Sequence, residues 1–176
     1  MTPAGLALRS REALPRLGSI ALRGPLLLDT NVFINALAGR GPAELRILLA
    51  NLPLSLVSGP VIAELSWPRG RLDPHHPNTK DVLARFGQLL ARIAPSKILL
   101  PDAADWSRAG ELAGRAARGI AGGAKSIRTA FDRIELIHDA LTAFAALRTG
   151  ATIVTSDGDF DLFMQLEPGL EVVFYE

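Results

Sequence analysis

The stretch Gly24-Pro25-Leu26-Leu27-Leu28-Asp29-Thr30-Asn31 decides the fold class. Three leucines behind a Gly-Pro break form a short apolar run without alternation, the pattern of a strand buried on both faces of a parallel sheet. Asp29 stands where that strand leaves the core. Thr30 or Asn31 can cap a following helix through Ala38, which Gly39 and Gly41 end.

Working outward, the same alternation of strand and helix repeats. Glu44–Ala50 reads as a short helix, Leu54–Val57 as a second strand, and Ser58-Gly59-Pro60 opens a helix that carries Glu64. Trp67 to Thr79 is rich in proline and reads as a loop. Asp81–Ile93 places Val82, Phe86, Leu89, Leu90 and Ile93 on one helical face. Ile98–Leu100 is a third strand closed by Pro101. Ala104–Ala117 is a helix broken by Gly119, Gly122 and Gly123, and a further helix spans Ala130 to Arg148. Thr152–Thr155 and Leu170–Tyr175 complete five strands. Such alternation predicts an α/β fold, a parallel sheet covered by helices on both faces.

Four apolar segments end on acids: Leu26–Asp29, Val61-Ile62-Ala63-Glu64, Ile137-His138-Asp139 and Ile153-Val154-Thr155-Ser156-Asp157-Gly158-Asp159. In the helix with Asp139, Ile134, Ile137, Leu141, Phe144 and Ala145 form an apolar stripe. Glu135, Asp139, Thr142 and Ala146 form the stripe beside it. In open parallel sheets ligands bind beyond the carboxyl ends of the strands, where Asp29 and Asp157 fall. Two carboxylates about 4 Å apart repel by about 4 kcal/mol at an effective dielectric near 20. A divalent cation reverses that sign. With no cysteine and hard oxygen donors, Mg²⁺ or Mn²⁺ fits better than zinc. Phosphodiester hydrolysis is the chemistry that uses such a set, because the cation neutralises charge on the phosphate and activates water.

Bulk properties set the frame. The 176 residues fit one domain, 48% hydrophobic and 21% charged, with net charge +1. Overall charge therefore neither favours nor excludes nucleic acid. Absence of cysteine suits a reducing compartment, and no apolar run is long enough to span a bilayer. Residues 1–24 are expected to be a basic arm with Arg9, Arg11, Arg16 and Arg23 against Glu12 alone, and residues 25–176 the nuclease domain. A transit peptide has a similar composition; an arm packed on the domain or on a partner is the plainer expectation.

The order Asp-Thr-Asn after a strand, Glu in the next helix, Asp in a later helix, then Thr155-Ser156-Asp157-Gly158-Asp159-Phe160 resembles the PIN-domain ribonucleases. Among these it is most similar to the virulence-associated protein C (VapC) toxins of toxin–antitoxin pairs, over about Leu26 to Tyr175. The resemblance implies a five-stranded parallel sheet in three α/β/α layers and a Mg²⁺- or Mn²⁺-dependent endoribonuclease. It further implies transfer or ribosomal RNA as substrate, a cognate antitoxin as partner, a homodimer and a cytoplasmic location. By position, Asp29, Glu64, Asp139 and Asp157 are the implied catalytic acids. Asp29, Asp139, Asp157 and Asp159 would hold metal, supported by Asn31 and Thr155. Two features depart from the small toxins: the long gap from Glu64 to Asp139, and the basic arm.

Phosphate contacts are expected from Arg115, Arg118, Lys125, Arg128 and Arg133, in the basic segment from Arg108 to Arg133. His75 and His76 read as solvated loop residues. Trp67 and Trp106 read as packing residues of the core or an interface. Two rivals stand beside this expectation. Phosphomonoester transfer of the haloacid-dehalogenase kind needs a second Asp two residues after the first, where Asn31 stands. A catalytically inactive PIN-like RNA-binding or scaffold domain would keep the fold without the activity.

Overall fold

The computed structural model describes residues 6–19, 22, 24–51, 54–120 and 129–176. Strands β1 (Leu26–Leu28), β4 (Thr152–Thr155) and β5 (Val172–Phe174) form a parallel sheet in the order β1-β4-β5. Strands β2 (Val57–Ser58) and β3 (Ile98–Leu99) form a second parallel pair. Eight helices among the described residues connect and flank them: α1 (Thr30–Leu37), α2 (Ala43–Ala50), α3 (Gly59–Ser66), α4 (Pro68–Arg71), α5 (Thr79–Ala91), α6 (Ala103–Ile120), α7 (Ala130–Thr149) and α8 (Phe160–Leu166). The chain is an α/β fold with parallel strands, as its alternating pattern predicts.

One expectation is corrected: among the described residues the strands form a three-stranded sheet and a separate pair, not one continuous five-stranded sheet. Leu56 meets β1 through a single bridge to Leu27, with Leu28 N–H donating to Leu56 O at 3.0 Å and Leu56 N–H to Leu26 O at 2.7 Å. The Gly59-Pro60 start of α3 ends β2 after two residues, too soon for a ladder with β1 to extend.

Register sorts the strand residues onto two faces. Leu27, Ile153, Val172 and Phe174 point into a core built with Ala109, Leu112 and Ala116 of α6, Leu136 and Leu141 of α7, and Phe160 and Phe163 of α8. Leu28, Val154 and Val173 point the other way, against Val32 and Phe33 of α1, Val61 and Leu65 of α3 and Leu89 of α5. The sheet is therefore buried on both sides, which explains its unbroken apolar strands.

Several element ends differ from the sequence expectation. Asp29, not Thr30 or Asn31, caps α1, its side chain accepting the Thr30 N–H. Helix α6 runs past Gly119 to Ile120: its buried Ala109, Leu112, Ala113 and Ala116 outweigh the roughly 1 kcal/mol that an interior glycine costs. The proline-rich segment after Trp67 contains the short helix α4. Helix α7 is bounded by a Thr129/Asp132 capping box and by Gly150, whose φ of 62° is the left-handed C-terminal conformation that glycine tolerates.

The start of the described chain lies along the last strand. Leu17 N–H donates to Phe174 O and Phe174 N–H to Pro15 O, both at 2.8 Å, so Arg16 forms a parallel bridge beside β5. Further back, Arg9 is tied to the fully buried Asp161 of α8.

Candidate active site

Asp29 leaves β1 and Asp157 leaves β4, neighbours in one sheet, so both acids reach the same C-terminal rim. The Asp29 backbone N–H donates to Val154 O at 3.1 Å, which extends the β1–β4 pairing up to the acid itself. The Thr155 hydroxyl is fully buried between the two acids. It donates to Asp29 Oδ2 at 2.7 Å and accepts the Asp157 backbone N–H at 2.9 Å. Asp157 Oδ1 in turn accepts the Asp159 N–H at 2.9 Å, which folds the Asp-Gly-Asp turn back on itself.

Helices α3 and α7 pack against each other and bring in Glu64 and Asp139. A buried hydroxyl pair, Ser58 Oγ and Thr142 Oγ1 at 2.8 Å, fixes their contact below the acids. Glu64 is held at both oxygens: the Thr30 hydroxyl donates to Oε2 at 2.5 Å, and His138 Nδ1 lies 3.0 Å from Oε1. A carboxylate only accepts, so the imidazole tautomer with hydrogen on Nδ1 is the one that fits. His138 was not singled out from the sequence. Its signal was its place, one residue before an acid and on a helix facing another.

Electrostatics joins these groups into one cluster. The Asp139 carboxyl is raised well above the ordinary aspartate range, by burial first, then by Asp29, Asp157, Glu64 and Asp159. Every one of those influences acts in the same direction. Asp29 is pushed up to about 6 by burial, opposed by the hydrogen bonds from Thr155 and the Thr30 N–H, with Asp157 and Glu64 adding repulsion. The Tyr175 phenol is also raised, chiefly by burial, while hydrogen bonds from Ser156 and Asn35 oppose the shift. Its oxygen accepts from Asn35 Nδ2 at 3.1 Å. Asn31 sits in the first turn of α1, partly exposed.

Like charges that raise the proton affinity of Asp29 and Asp139 are the condition a bound cation relieves. The donor set of carboxylate and hydroxyl oxygens suits Mg²⁺ or Mn²⁺. Among the described residues no three His, Asp or Glu side chains already stand in a metal-holding array. A magnesium-type ion takes only one or two direct carboxylates, with water and substrate phosphate completing its shell, and the cluster is compatible with that.

The sequence matches the family model described as the PIN domain over residues 26–163, more than half of the chain. The chain belongs to the PIN-domain family.

No curated protein sequence matches it. Among solved structures, a chain of VapBC2 from Rickettsia felis, bound to a DNA fragment from their promoter, aligns with a TM-score of 0.58 at 20% identity. That alignment covers 87% of this chain and 100% of that one. FitAcB from Neisseria gonorrhoeae gives a TM-score of 0.57 at 23% identity, covering 84% and 96%. DNA-bound VapBC from Salmonella typhimurium gives 0.53 at 19%, covering 84% and 96%. At these identities the likeness is one of fold.

In this PIN domain the expected basic residues divide. Arg115 is tied to Glu167 at 3.2 Å, whereas Arg118 and Arg133 are exposed. Lys125 and Arg128 lie outside the described residues. Arg108, which the sequence grouped with them, stacks over the Phe144 ring at 4.2 Å. His75 and His76 are exposed, as expected. Trp67 and Trp106 are 66% and 51% exposed, so neither packs in the core. Among the described residues no helix is long and apolar enough to cross a membrane.

Proposed function

We propose that this PIN-domain protein is a divalent-metal-dependent endoribonuclease, the toxin of a type II toxin–antitoxin pair. The observation that carries the proposal is the acid rim of a PIN-domain chain: one buried Thr155 hydroxyl joins Asp29 to the Asp157 turn, and the Asp139 carboxyl is raised by burial and then by Asp29, Asp157, Glu64 and Asp159. PIN nucleases generally use divalent metal ions, and the oxygen donors fit Mg²⁺ or Mn²⁺. When bound, the ion offsets charge on the scissile phosphate and makes water a better nucleophile.

The chain's own groups then have separate tasks. Asp29, Asp139, Asp157 and Asp159 supply metal-facing oxygens. Thr155 orients Asp29 and the Asp157 turn through its two hydrogen bonds. Glu64, fixed at both oxygens yet still partly exposed, is the acid placed to accept a proton from the attacking water. Asn31, which follows Thr30 in the first turn of α1, is assigned a supporting role. Arg118 and Arg133, with Lys125 and Arg128, supply phosphate contacts.

The similar solved structures are named as two-component complexes, VapBC and FitAcB. That supports a cognate antitoxin as partner; transfer or ribosomal RNA as substrate, a homodimer and a cytoplasmic location complete the proposed reading. Exposed Leu100, Trp106, Phe131 and Ile134 supply apolar surface for partner chains. The test is Mn²⁺-dependent RNA cleavage that disappears in Asp29→Ala. Undiminished cleavage by Asp139→Asn would overturn the site assignment.

A further inference from the structure

A cavity of about 220 Å³ opens beside the acid cluster, between the N-terminal arm and the ends of β4 and β5. Arg11 and Arg16 of the arm line it, together with the exposed Glu44 of α2. Ser156 and Gly158, the chain neighbours of Asp157, line it too, and Tyr175 and Glu176 lie beyond β5. The cavity therefore shares the C-terminal rim of the sheet with the acids and is walled by the same turn.

We infer that this cavity holds a phosphate-bearing nucleotide of the RNA strand next to the one cut, with Arg11 and Arg16 as its cations. The inference rests on the ribonuclease reading above and adds a subsite to it.

A polyanion crossing a rim of acids is repelled except where the ion lies, so its flanking phosphates need fixed positive partners. The arm supplies them in an ordered form. Arg16 is fixed by the backbone pairing on either side of it with Phe174, and the arm is anchored further back by Arg9 on buried Asp161. Arg16 already holds a carboxylate, Glu176, at 3.0 Å. Both side chains of that pair are substantially exposed, 43% and 62%, so the pairing is weak and a phosphate can replace it. Guanidinium groups suit this exchange, because their planar fork accepts carboxylate or phosphate oxygens alike.

The test is fluorescence anisotropy with the full chain and a labelled, non-cleavable 2′-O-methyl RNA oligonucleotide in fixed Mg²⁺ over a KCl series. Arg11→Ala and Arg16→Ala are each expected to weaken binding several-fold and to flatten the log–log salt slope by about 0.7. Lys80→Ala, an exposed cation on α5 outside the cavity, should leave both unchanged. Glu176→Gln should tighten binding by freeing Arg16, a gain that a folding defect cannot produce. Unchanged affinity and slope in both arginine variants, or weaker binding by Glu176→Gln, would overturn the subsite while wild-type binding leaves the nuclease reading standing. Wild type that binds no RNA overturns both.

Discussion

His138 and Glu64 clasp each other across the α3–α7 contact, ring nitrogen to carboxylate at 3.0 Å, with Thr30 gripping the opposite oxygen. Removing one grip leaves Glu64 free to turn about the other. His138→Ala is expected to lower RNA cleavage about tenfold, as loss of an orienting partner usually does. Stability should change by less than about 1 kcal/mol, because both side chains are part-exposed. His138→Gln, which keeps a donor, should recover part of the rate. Initial rates and Mn²⁺ titration calorimetry on the three proteins check this.

Thr155 serves two acids with one hydroxyl. Thr155→Val keeps the shape and strips both bonds, leaving Asp29 Oδ2 and the Asp157 N–H short of partners at a cost of about 1–3 kcal/mol. The bond from Thr155 holds the Asp29 pKa down, so its loss raises it further. The acidic limb of the pH–rate profile should therefore move to higher pH. An unmoved limb would show that Asp29 does not govern it.

Metal-free stability should fall as pH rises. Asp29 binds its proton more tightly folded than unfolded, with a pKa raised from 3.8 to about 6. Its contribution is most favourable below about pH 4, is lost as pH climbs to about 6, and leaves a deficit on the order of 3 kcal/mol by pH 7. Asp139 is shifted the same way. Thermal melts in EDTA should show a declining midpoint between pH 4 and 7. Added Mn²⁺ should restore more of it at pH 7 than at pH 5, since only ionised acids bind the cation.

Arg9 stabilises the arm through a buried acid. Its backbone N–H and Nε reach Asp161 at 2.7 and 2.6 Å, and Gln165 Nε2 adds a contact at 3.1 Å. Arg9→Ala should cost about 2 kcal/mol, less than a fully buried pair because Arg9 itself is 41% exposed. Adding Asp161→Asn should return part of that loss by removing the unpaired charge. Urea denaturation of the single and double variants measures both.

Local pattern was enough to read β1, β4, β5 and the long helices, because burial on both faces makes those strands largely apolar; the second strand, expected at Leu54–Val57, is Val57–Ser58. Helix α8 escaped notice. Its seven residues contain an acid, Asp161, amid Phe160, Leu162 and Phe163, and the distant Arg9 is the cation that makes that acid tolerable. The split of the sheet was equally hidden, since it depends on how far Leu56 tracks along β1. At the site, the acids announced themselves by ending apolar runs. The partner of Glu64 did not, because His138 reaches it only through the crossing of two helices. Arg115 shows the reverse limit: a cation that looked available in the chain is paired by Glu167, far away in sequence.

Because Pro15, Arg16 and Leu17 lie along β5, the Phe174 N–H and C=O on that flank of the sheet are already engaged. Proline adds no outward N–H of its own. Among the described residues, a visiting peptide that joins by adding a strand finds its other edge on the separate β2–β3 pair, at Ile98–Leu99, where Pro101 sets how far it can travel. Trimming the arm would open a second seam for such growth, and with it a route to self-association.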